Sequence, residues 1–208
     1  MNGKTGLNDR IDAFGGHLDL SAEAIVLGRN NKFFASYAYG SGSKSAANGI
    51  SAAKEFRNPN NYSSLFGDMS VVGDLSGVTV NRPIFSPLTG LSLGMIGIHA
   101  SGLQIYTLGW GVDITREVNF SATGHYFLAN YVANFGGDLF SRRLGLESDF
   151  TLTWNMADGL ALIAGYDRFF TGGYFRDVAW SRKDIDYGYL MVQFDLSMSK
   201  RGLKPAKG

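Results

Sequence analysis

Three histidines, His17, His99 and His125, are the side chains of this sequence best suited to act as general bases near neutral pH. His125 follows Ser121 and Thr123 at two-residue spacing, so an extended chain places both hydroxyls and the imidazole on one face. No nucleophile motif surrounds His125, and a lone histidine among polar neighbours is more often a structural residue that hydrogen-bonds to them than a catalytic base. We therefore expect no catalytic residue and no enzyme activity.

A second candidate for chemistry is the run GSGSKS at 40–45, which superficially resembles a phosphate-binding loop. It has no glycine directly before Lys44, and its surroundings predict no helix for such a loop to open. The sequence also lacks cysteine, and it shows neither a Cys/His cluster nor an acidic loop with calcium spacing. We therefore expect no phosphate loop, no metal ion and no cofactor.

Charged side chains are the remaining candidates for a functional role, and the chemistry that suits them is the selection of solutes by charge. Arginine and lysine select anions where they replace part of the hydration shell, while nearby acids keep binding weak enough for release. The predicted pore-lining or substrate-contacting residues are Arg142, Arg143, Arg168, Arg176, Arg182, Lys183, Asp113, His125, Glu147, Asp149 and Asp167. For the loop arginines the alternative stays open that they are solvated or bind lipopolysaccharide phosphates.

Two of these candidates, Asp167 and Arg168, are consecutive and therefore point to opposite faces of an extended strand. Glu147 and Asp149 fall on the adjoining predicted strand, where opposite charges paired across a hairpin contribute about 0.2–1 kcal/mol. Pairing between the two strands is therefore an expectation. The strand period puts Arg168 on the apolar face beside Tyr166, which is tolerable only near a membrane rim, where a long side chain reaches water.

Strands must position these residues, because apolar residues recur with a period of two. In LGLESDFTLTWNM at 144–156, one face is apolar except for Ser148, while Glu147, Asp149 and the threonines lie on the other. Alternation over about 13 residues exceeds the usual globular strand of about 5 to 6 and suits a tilted bilayer crossing. The same period recurs at 18–26, 104–114, 120–128 and 190–196.

A soluble β-sandwich also alternates, so the types of polar residue decide between the two folds. A sandwich would expose a face rich in lysine and glutamate, whereas the polar positions here are mostly glycine, serine, threonine, asparagine and aspartate. Charged residues make up 18%, below the roughly 25% of soluble domains, beside 28 glycines and 13% aromatic residues. Small polar residues suit a wet lumen, and Trp110, Tyr126, Trp154 and Tyr166 could supply aromatic girdles. We predict an all-β, antiparallel transmembrane β-barrel.

Outer-membrane barrels alternate tight periplasmic turns with longer extracellular loops, and the sequence shows this order. Tight turns are predicted at 28–31, 86–90, 115–117 and 157–159, and longer segments at 42–74, 131–142 and 171–186. Segment 42–74 is expected either to fold over the mouth or to remain an exposed surface loop. About nine strands are predicted, at 11–28, 32–41, 75–85, 90–99, 103–114, 118–130, 143–156, 160–171 and 187–197. Residues 100–102 are expected to form a short connection between the fourth and fifth of them.

An odd number of strands conflicts with the even number of bacterial single-chain barrels, so we expect an N-terminal part to precede this sequence. Residues 1–197 then form the barrel segment, and 198–208 form a basic, disordered tail. No run of about 18 apolar residues predicts a membrane-spanning helix, and the N-terminus lacks the pattern of a secretory signal. A net charge of +1 gives no reason to expect nucleic acid as a partner.

Three stretches carry a resemblance to the alginate export porins of Gram-negative outer membranes: LGLESDFTLTWNMADGLALIAGYDRFFTGGYF at 144–175, DIDYGYLMVQFDL at 184–196 and FFASYAYGSGS at 33–43. The shared pattern is one of glycines, aromatic residues and acids in hairpins, and it covers most of the sequence. The resemblance implies a monomeric barrel of about 18 strands, of which this would be the C-terminal half, with a charged lumen that passes an anionic polysaccharide. The sequence departs from the family after Phe194, where Asp195, Leu196 and the tail replace a terminal aromatic residue.

The favoured function is a porin-like channel in the bacterial outer membrane for passive passage of an alginate-like anionic polysaccharide or another small solute. The alternative is a structural barrel whose lumen holds another polypeptide. The expected partners are outer-membrane lipid, lipopolysaccharide and the anionic or sugar-like solute, with no nucleic acid. Charge selectivity depends on how lumen charges converge in space, which a sequence does not specify.

Overall fold

The computed structural model describes residues 2–4, 10–12, 14–42, 99–133, 139–178 and 183–195. Within these ranges the chain consists of strands and one short helix, α1 (Gly173–Val178). The strands are β1 (Asn2–Lys4), β2 (Arg10–Asp12), β3 (Gly15–Val26), β4 (Arg29–Gly40), β5 (His99–Asp113), β6 (Val118–Ala133), β7 (Arg143–Ala157), β8 (Leu160–Thr171) and β9 (Ile185–Phe194).

Seven of the strands form one antiparallel sheet, in the order β3-β4-β5-β6-β7-β8-β9, and β1 and β2 form a separate two-stranded sheet. Each strand of the large sheet pairs with its neighbour along the described chain, so the topology is a simple meander. The predicted all-β antiparallel fold is confirmed. The β1–β2 hairpin was not predicted, and the predicted tail at 198–208 lies outside the described residues.

Short turns join the strands at one end of the sheet, which we call the tight-turn end. Leu27 and Gly28 both have positive φ, at 53° and 73°, as a two-residue hairpin turn matching the strand twist requires. The turn at 114–117 is closed by Thr115, whose hydroxyl accepts hydrogen bonds from the backbone N–H groups of Glu117 at 3.2 Å and Val118 at 3.0 Å. Gly159, with φ of 75°, makes the third turn. The connections after β4, β6 and β8 are longer and meet at the opposite, long-connection end, as predicted.

The predicted number of strands is not confirmed, because β4 pairs directly with β5. The predicted strands at 75–85 and 90–99 therefore have no place between these two strands of the described sheet. Apart from His99, both lie outside the described residues, as do the predicted turn at 86–90 and the loop at 42–74 beyond Gly42.

The connection predicted at 100–102 is wrong, because these residues lie inside β5. Gly102 has φ of +71°, a conformation typical of turns, yet the register with β6 is the same on both sides of it. A Cβ at this position would meet the Gly42 backbone nitrogen at 2.7 Å. Glycine therefore permits a local kink and close packing at this point, and the strand continues.

The two faces of the sheet differ in the way the alternation predicted. One face, which we call the apolar face, exposes large hydrophobic side chains from every strand except β6, whose apolar residues are half-buried. The exposed members include Leu18, Leu20, Phe33, Tyr106, Leu108, Trp110, Phe150, Leu152, Trp154, Met156, Tyr166, Phe170, Leu190, Val192 and Phe194. The opposite, polar face carries most of the buried polar side chains, so this sheet is inverted relative to a soluble core.

The strands of the large sheet contain 10 to 16 residues. At a rise of about 3.3 Å per residue they measure about 33 to 53 Å, and a tilt of about 40° leaves about 25 to 40 Å along a barrel axis. A bilayer hydrocarbon core is about 30 Å thick, so every strand of the large sheet except the ten-residue β9 has the necessary reach. Among the described residues, no helix is long and apolar enough to cross a membrane.

Candidate functional site: the polar face of the sheet

Burial divides the polar face into two halves. Towards the tight-turn end its residues are small, polar and half-exposed, as Asn119, Ser121, Thr151 and Thr153 illustrate. Towards the long-connection end the same face is buried and includes the apolar residues Ile105, Phe127 and Phe169. The prediction of a wall of small polar residues therefore describes the first half only, because the second half is packed against protein.

A row of buried polar side chains crosses the boundary between the two halves, with His125 on β6 at its centre. The Thr107 hydroxyl of β5 lies 2.8 Å from His125 Nδ1, and His125 Nε2 lies 3.2 Å from Asp149 Oδ2 of β7. The three residues are between 1% and 4% exposed. Because buried polar groups are costly unless they are paired, this row orients the imidazole and one carboxylate.

Two further acids lie beside this row and are fully buried. Glu147 is directly opposite His125 in the β6–β7 register, and Asp167 is directly opposite Asp149 in the β7–β8 register. The predicted residues His125, Glu147, Asp149 and Asp167 are thus brought together by three neighbouring strands. The described residues include no group of three or more histidine or acidic side chains with the geometry of a metal site.

The order of hydroxyl, imidazole and carboxylate in this row is one that hydrolases also use. Thr107 is 4% exposed and His125 is 1% exposed, so both side chains are buried in this arrangement. The absence of enzyme activity stays a prediction.

Aromatic side chains cover the buried half at the long-connection end. Phe127 lies 6.1 Å from the ring of His125 and 6.2 Å from the ring of Phe169, measured between centroids. Phe175 of α1 packs edge-on against Phe169 at 5.7 Å, and Tyr174 is completely buried beside it. Burial raises the pKa of the Tyr174 phenol above its ordinary value.

Aromatic rings on the polar face also lie flat over glycines of the neighbouring strand. Phe34 is directly opposite Gly109, and a Cβ at Gly109 would overlap its ring. Tyr189 covers Gly165 in the same way, and its hydroxyl reaches to 3.5 Å from the Thr151 hydroxyl. These glycines let large rings lie along the wall, so the rings project less into the space above it.

Asp113, another predicted residue, lies at the tight-turn end of β5. Its carboxylate accepts hydrogen bonds from the side-chain amides of Asn30 at 3.2 Å and Asn119 at 2.8 Å. The three side chains join β4, β5 and β6 beside the turns. Asp113 is therefore remote from the buried acids and fixes the rim of the sheet.

Arg168 does not join the polar face. Its side chain lies on the apolar face, with its guanidinium 5.1 Å from the centre of the Phe170 ring. It pairs with Asp184 at 3.3 Å and Asp186 at 3.7 Å, and Asp186 also accepts a hydrogen bond from the Tyr166 hydroxyl. The predicted pairing with Glu147 or Asp149 is wrong, because consecutive residues of β8 point to opposite faces.

The remaining basic candidates lie at the long-connection end and outside the buried cluster. Arg142 and Arg143 are exposed at the start of β7, and the Arg142 side chain donates to the Ala129 carbonyl at 2.9 Å. Arg176 is an exposed residue of α1 that pairs with Asp177 at 3.5 Å. Lys183 is exposed next to β9, and Arg182 lies outside the described residues.

Thr107 is the member of the row that sequence reasoning missed, since Ser121 and Thr123 were considered as neighbours of His125. Those two residues share a strand with His125, whereas Thr107 faces it across the β5–β6 hairpin. The sequence feature that could have identified Thr107 as the partner of His125 is the turn predicted at 115–117. A hairpin centred on residue 116 pairs residues equally distant from that centre, and Thr107 and His125 are each nine positions away.

No family model and no curated protein matches the sequence. Among solved structures, the chain is similar to the crystal structure of the toluene transporter TbuX of Ralstonia pickettii, with 17% sequence identity and a TM-score of 0.27. The match covers 92% of this chain and 51% of the other, so the chain spans about half the length of that transporter. A likeness with so low a TM-score carries no argument, and the resemblance to alginate export porins stays a prediction.

Proposed function

We propose that this chain forms part of the wall of a β-barrel channel in a bacterial outer membrane. The observation that carries the proposal is the inversion of the sheet, with large apolar side chains exposed on one face and acids and histidine buried on the other. In water such an apolar face would be an unusually large exposed patch. In a bilayer it is the lipid-facing surface of a barrel, and the polar face becomes the lumen.

The aromatic residues support the same proposal. Trp110, Phe120 and Phe150 form a ladder of ring contacts across β5, β6 and β7, with centroids 6.0 Å and 6.5 Å apart. Tyr37, Tyr106 and Tyr126 form another ladder nearer the long-connection end, at 4.9 Å and 6.3 Å. Rows of aromatic rings on the lipid-facing side of the strands are a feature of outer-membrane barrels.

We propose that the solute is small and polar or sugar-like and that it crosses by passive diffusion. The strand residues on the described polar face include Asp19, Glu23, Asp113 and the three buried acids, against Lys32, which pairs with Glu23 at 3.6 Å. A wall with this charge disfavours a polyanion along this part of the lumen. An alginate-like substrate would therefore need basic residues from outside the described strands.

The test is planar-bilayer conductance of the purified protein, with folding verified by the heat-dependent mobility of barrels in detergent gels. We expect steady single-channel currents, and addition of polyuronate distinguishes a polyanion pathway, which it blocks, from a route for small polar solutes, which it does not. A well-folded barrel without current would overturn the channel and favour a scaffold that holds another polypeptide in its lumen. The proposal assigns no catalytic step to the chain.

Two adjacent residues of β7 supply a matched pair of variants for this experiment. Leu152→Lys places a charge on the apolar face, where it costs about 2–4 kcal/mol at the bilayer midplane, so insertion should fail or weaken. Thr151→Lys places the same charge on the half-exposed polar face, so insertion should persist while ion selectivity shifts towards anions. Equal insertion of both variants would contradict the assignment of the two faces.

A further inference from the structure

The helix α1 lies against the polar face of the sheet. Phe175 contacts Phe169, which shares its face with Asp167 and is 1% exposed, whereas the intervening Arg168 and the following Phe170 belong to the apolar face. Tyr174 is fully buried. In a barrel the polar face is the lumen, so α1 occupies lumen space at the long-connection end.

The chain enters α1 through a close approach to β7. The Gly172 N–H donates to the Leu144 carbonyl at 2.8 Å. A Cβ at Gly172 would come within 2.7 Å of the Leu144 carbonyl carbon, and one at Gly173 would come within 2.9 Å of the Ser141 Cβ. Only glycines fit this path, so the pair Gly172-Gly173 directs the chain inward.

Two further hydrogen bonds hold this segment, one made by α1 itself and one by the residues that flank it. The Asp177 carboxylate accepts from the Ser141 N–H at 3.2 Å, which ties the helix to the residues before β7. The Asp184 carboxylate accepts from the Thr171 N–H at 3.1 Å, which joins the end of β8 to the residues before β9. With the aromatic contact to Phe169, these bonds attach α1 firmly to the wall.

We propose that α1 is a fixed constriction that sets the size limit for solutes entering from the long-connection end. The inference rests on the proposed channel function and adds the element that limits it. A helix about 10 Å wide occupies on the order of 80 Å² of cross-section. The rings of Phe127 and Phe169 lie between it and His125 of the buried row, so solute passes along the remaining, half-exposed part of the wall.

The first test uses the absence of cysteine from the sequence, which makes one introduced thiol the sole target for labelling. Arg176→Cys, at the exposed side of α1, should react with a charged, membrane-impermeant thiol reagent, and the reaction should reduce single-channel conductance. Leu190→Cys on the apolar face of β9 is the matched control and should leave conductance unchanged. If Arg176→Cys does not react, or reacts while the current stays the same, α1 is not the constriction.

The second test removes the constriction. Replacing residues 173–178 with a short glycine-serine link should raise conductance about twofold or more and admit larger polyethylene glycols, since about 80 Å² of cross-section is released. If this variant does not fold, the Arg176→Cys labelling still decides. Absence of current in the unmodified protein defeats the channel function itself, whereas unchanged conductance in a folded replacement variant defeats only the role of α1.

Discussion

At the scale of single residues, the buried row of Thr107, His125 and Asp149 illustrates what the polar face of the sheet requires where it is buried. A charged or polar side chain that loses water must regain its hydrogen bonds from neighbours. Here the partners come from adjacent strands at 2.8 Å and 3.2 Å. Residues of adjacent strands thus supply the polar partners that solvent supplies to the half-exposed residues nearer the turns.

We predict that Thr107→Val lowers the free energy of unfolding by about 1–3 kcal/mol, because it leaves the buried His125 Nδ1 without its hydroxyl partner. Thr153→Val, on the half-exposed part of the same face, should change the free energy by less than about 0.5 kcal/mol. Urea unfolding in lipid vesicles, followed by tryptophan fluorescence, measures both. Equal effects would contradict the importance assigned to the buried row.

At the scale of elements, each strand is amphipathic on its own, but rings and glycines lock neighbouring strands together. Phe34 over Gly109 joins β4 to β5, and Tyr189 over Gly165 joins β9 to β8. An aromatic ring that lies along the backbone of the next strand buries area while projecting little from the polar face. The abundance of glycine in the sequence therefore has a packing reason at these positions.

Two glycines of β5 provide a direct test of this packing. Gly109→Ala would drive a methyl group into the Phe34 ring, and we expect it to cost about 1–3 kcal/mol of stability. Gly111→Ala, two residues along the same face, meets its nearest atom at 3.7 Å and should be tolerated within about 0.5 kcal/mol. Unfolding midpoints of the two variants in lipid decide, and similar losses would refute the ring-over-glycine joint.

At the scale of the whole molecule, the exposed apolar face must meet lipid if the proposed membrane location is correct. Trp110 and Trp154 both lie on this face and are 39% and 46% exposed. We expect lipids brominated on their acyl chains to quench the intrinsic fluorescence, and Trp110→Phe with Trp154→Phe to remove most of the quenching. Trp180→Phe, outside the described residues, leaves both reporters in place. Quenching that persists without Trp110 and Trp154 would contradict the contact between the apolar face and lipid.

The sequence by itself determined the strands and their faces, because alternation and turn residues are local properties. Residues 143–157 and 160–171 became β7 and β8 close to their predicted bounds, and turns formed at the predicted triplets 115–117 and 157–159. The turn predicted at 28–31 is formed by Leu27 and Gly28, while residues 29–31 pair within β4. Residues 100–102 were predicted to connect strands at 90–99 and 103–114, and only the unbroken pairing around Gly102 reveals a continuous strand.

Only the tertiary structure decided which charges meet, because register joins residues that are far apart in the sequence. It placed Thr107 against His125, Asp149 against Asp167 and Arg168 against the acids before and within β9. It also turned α1 onto the polar face, where contacts to β7 and β8 outweigh the polar character of the connecting segment. The histidine first considered as a base is thus a buried residue of the polar face, and the reason lies in strands that its local sequence does not contain.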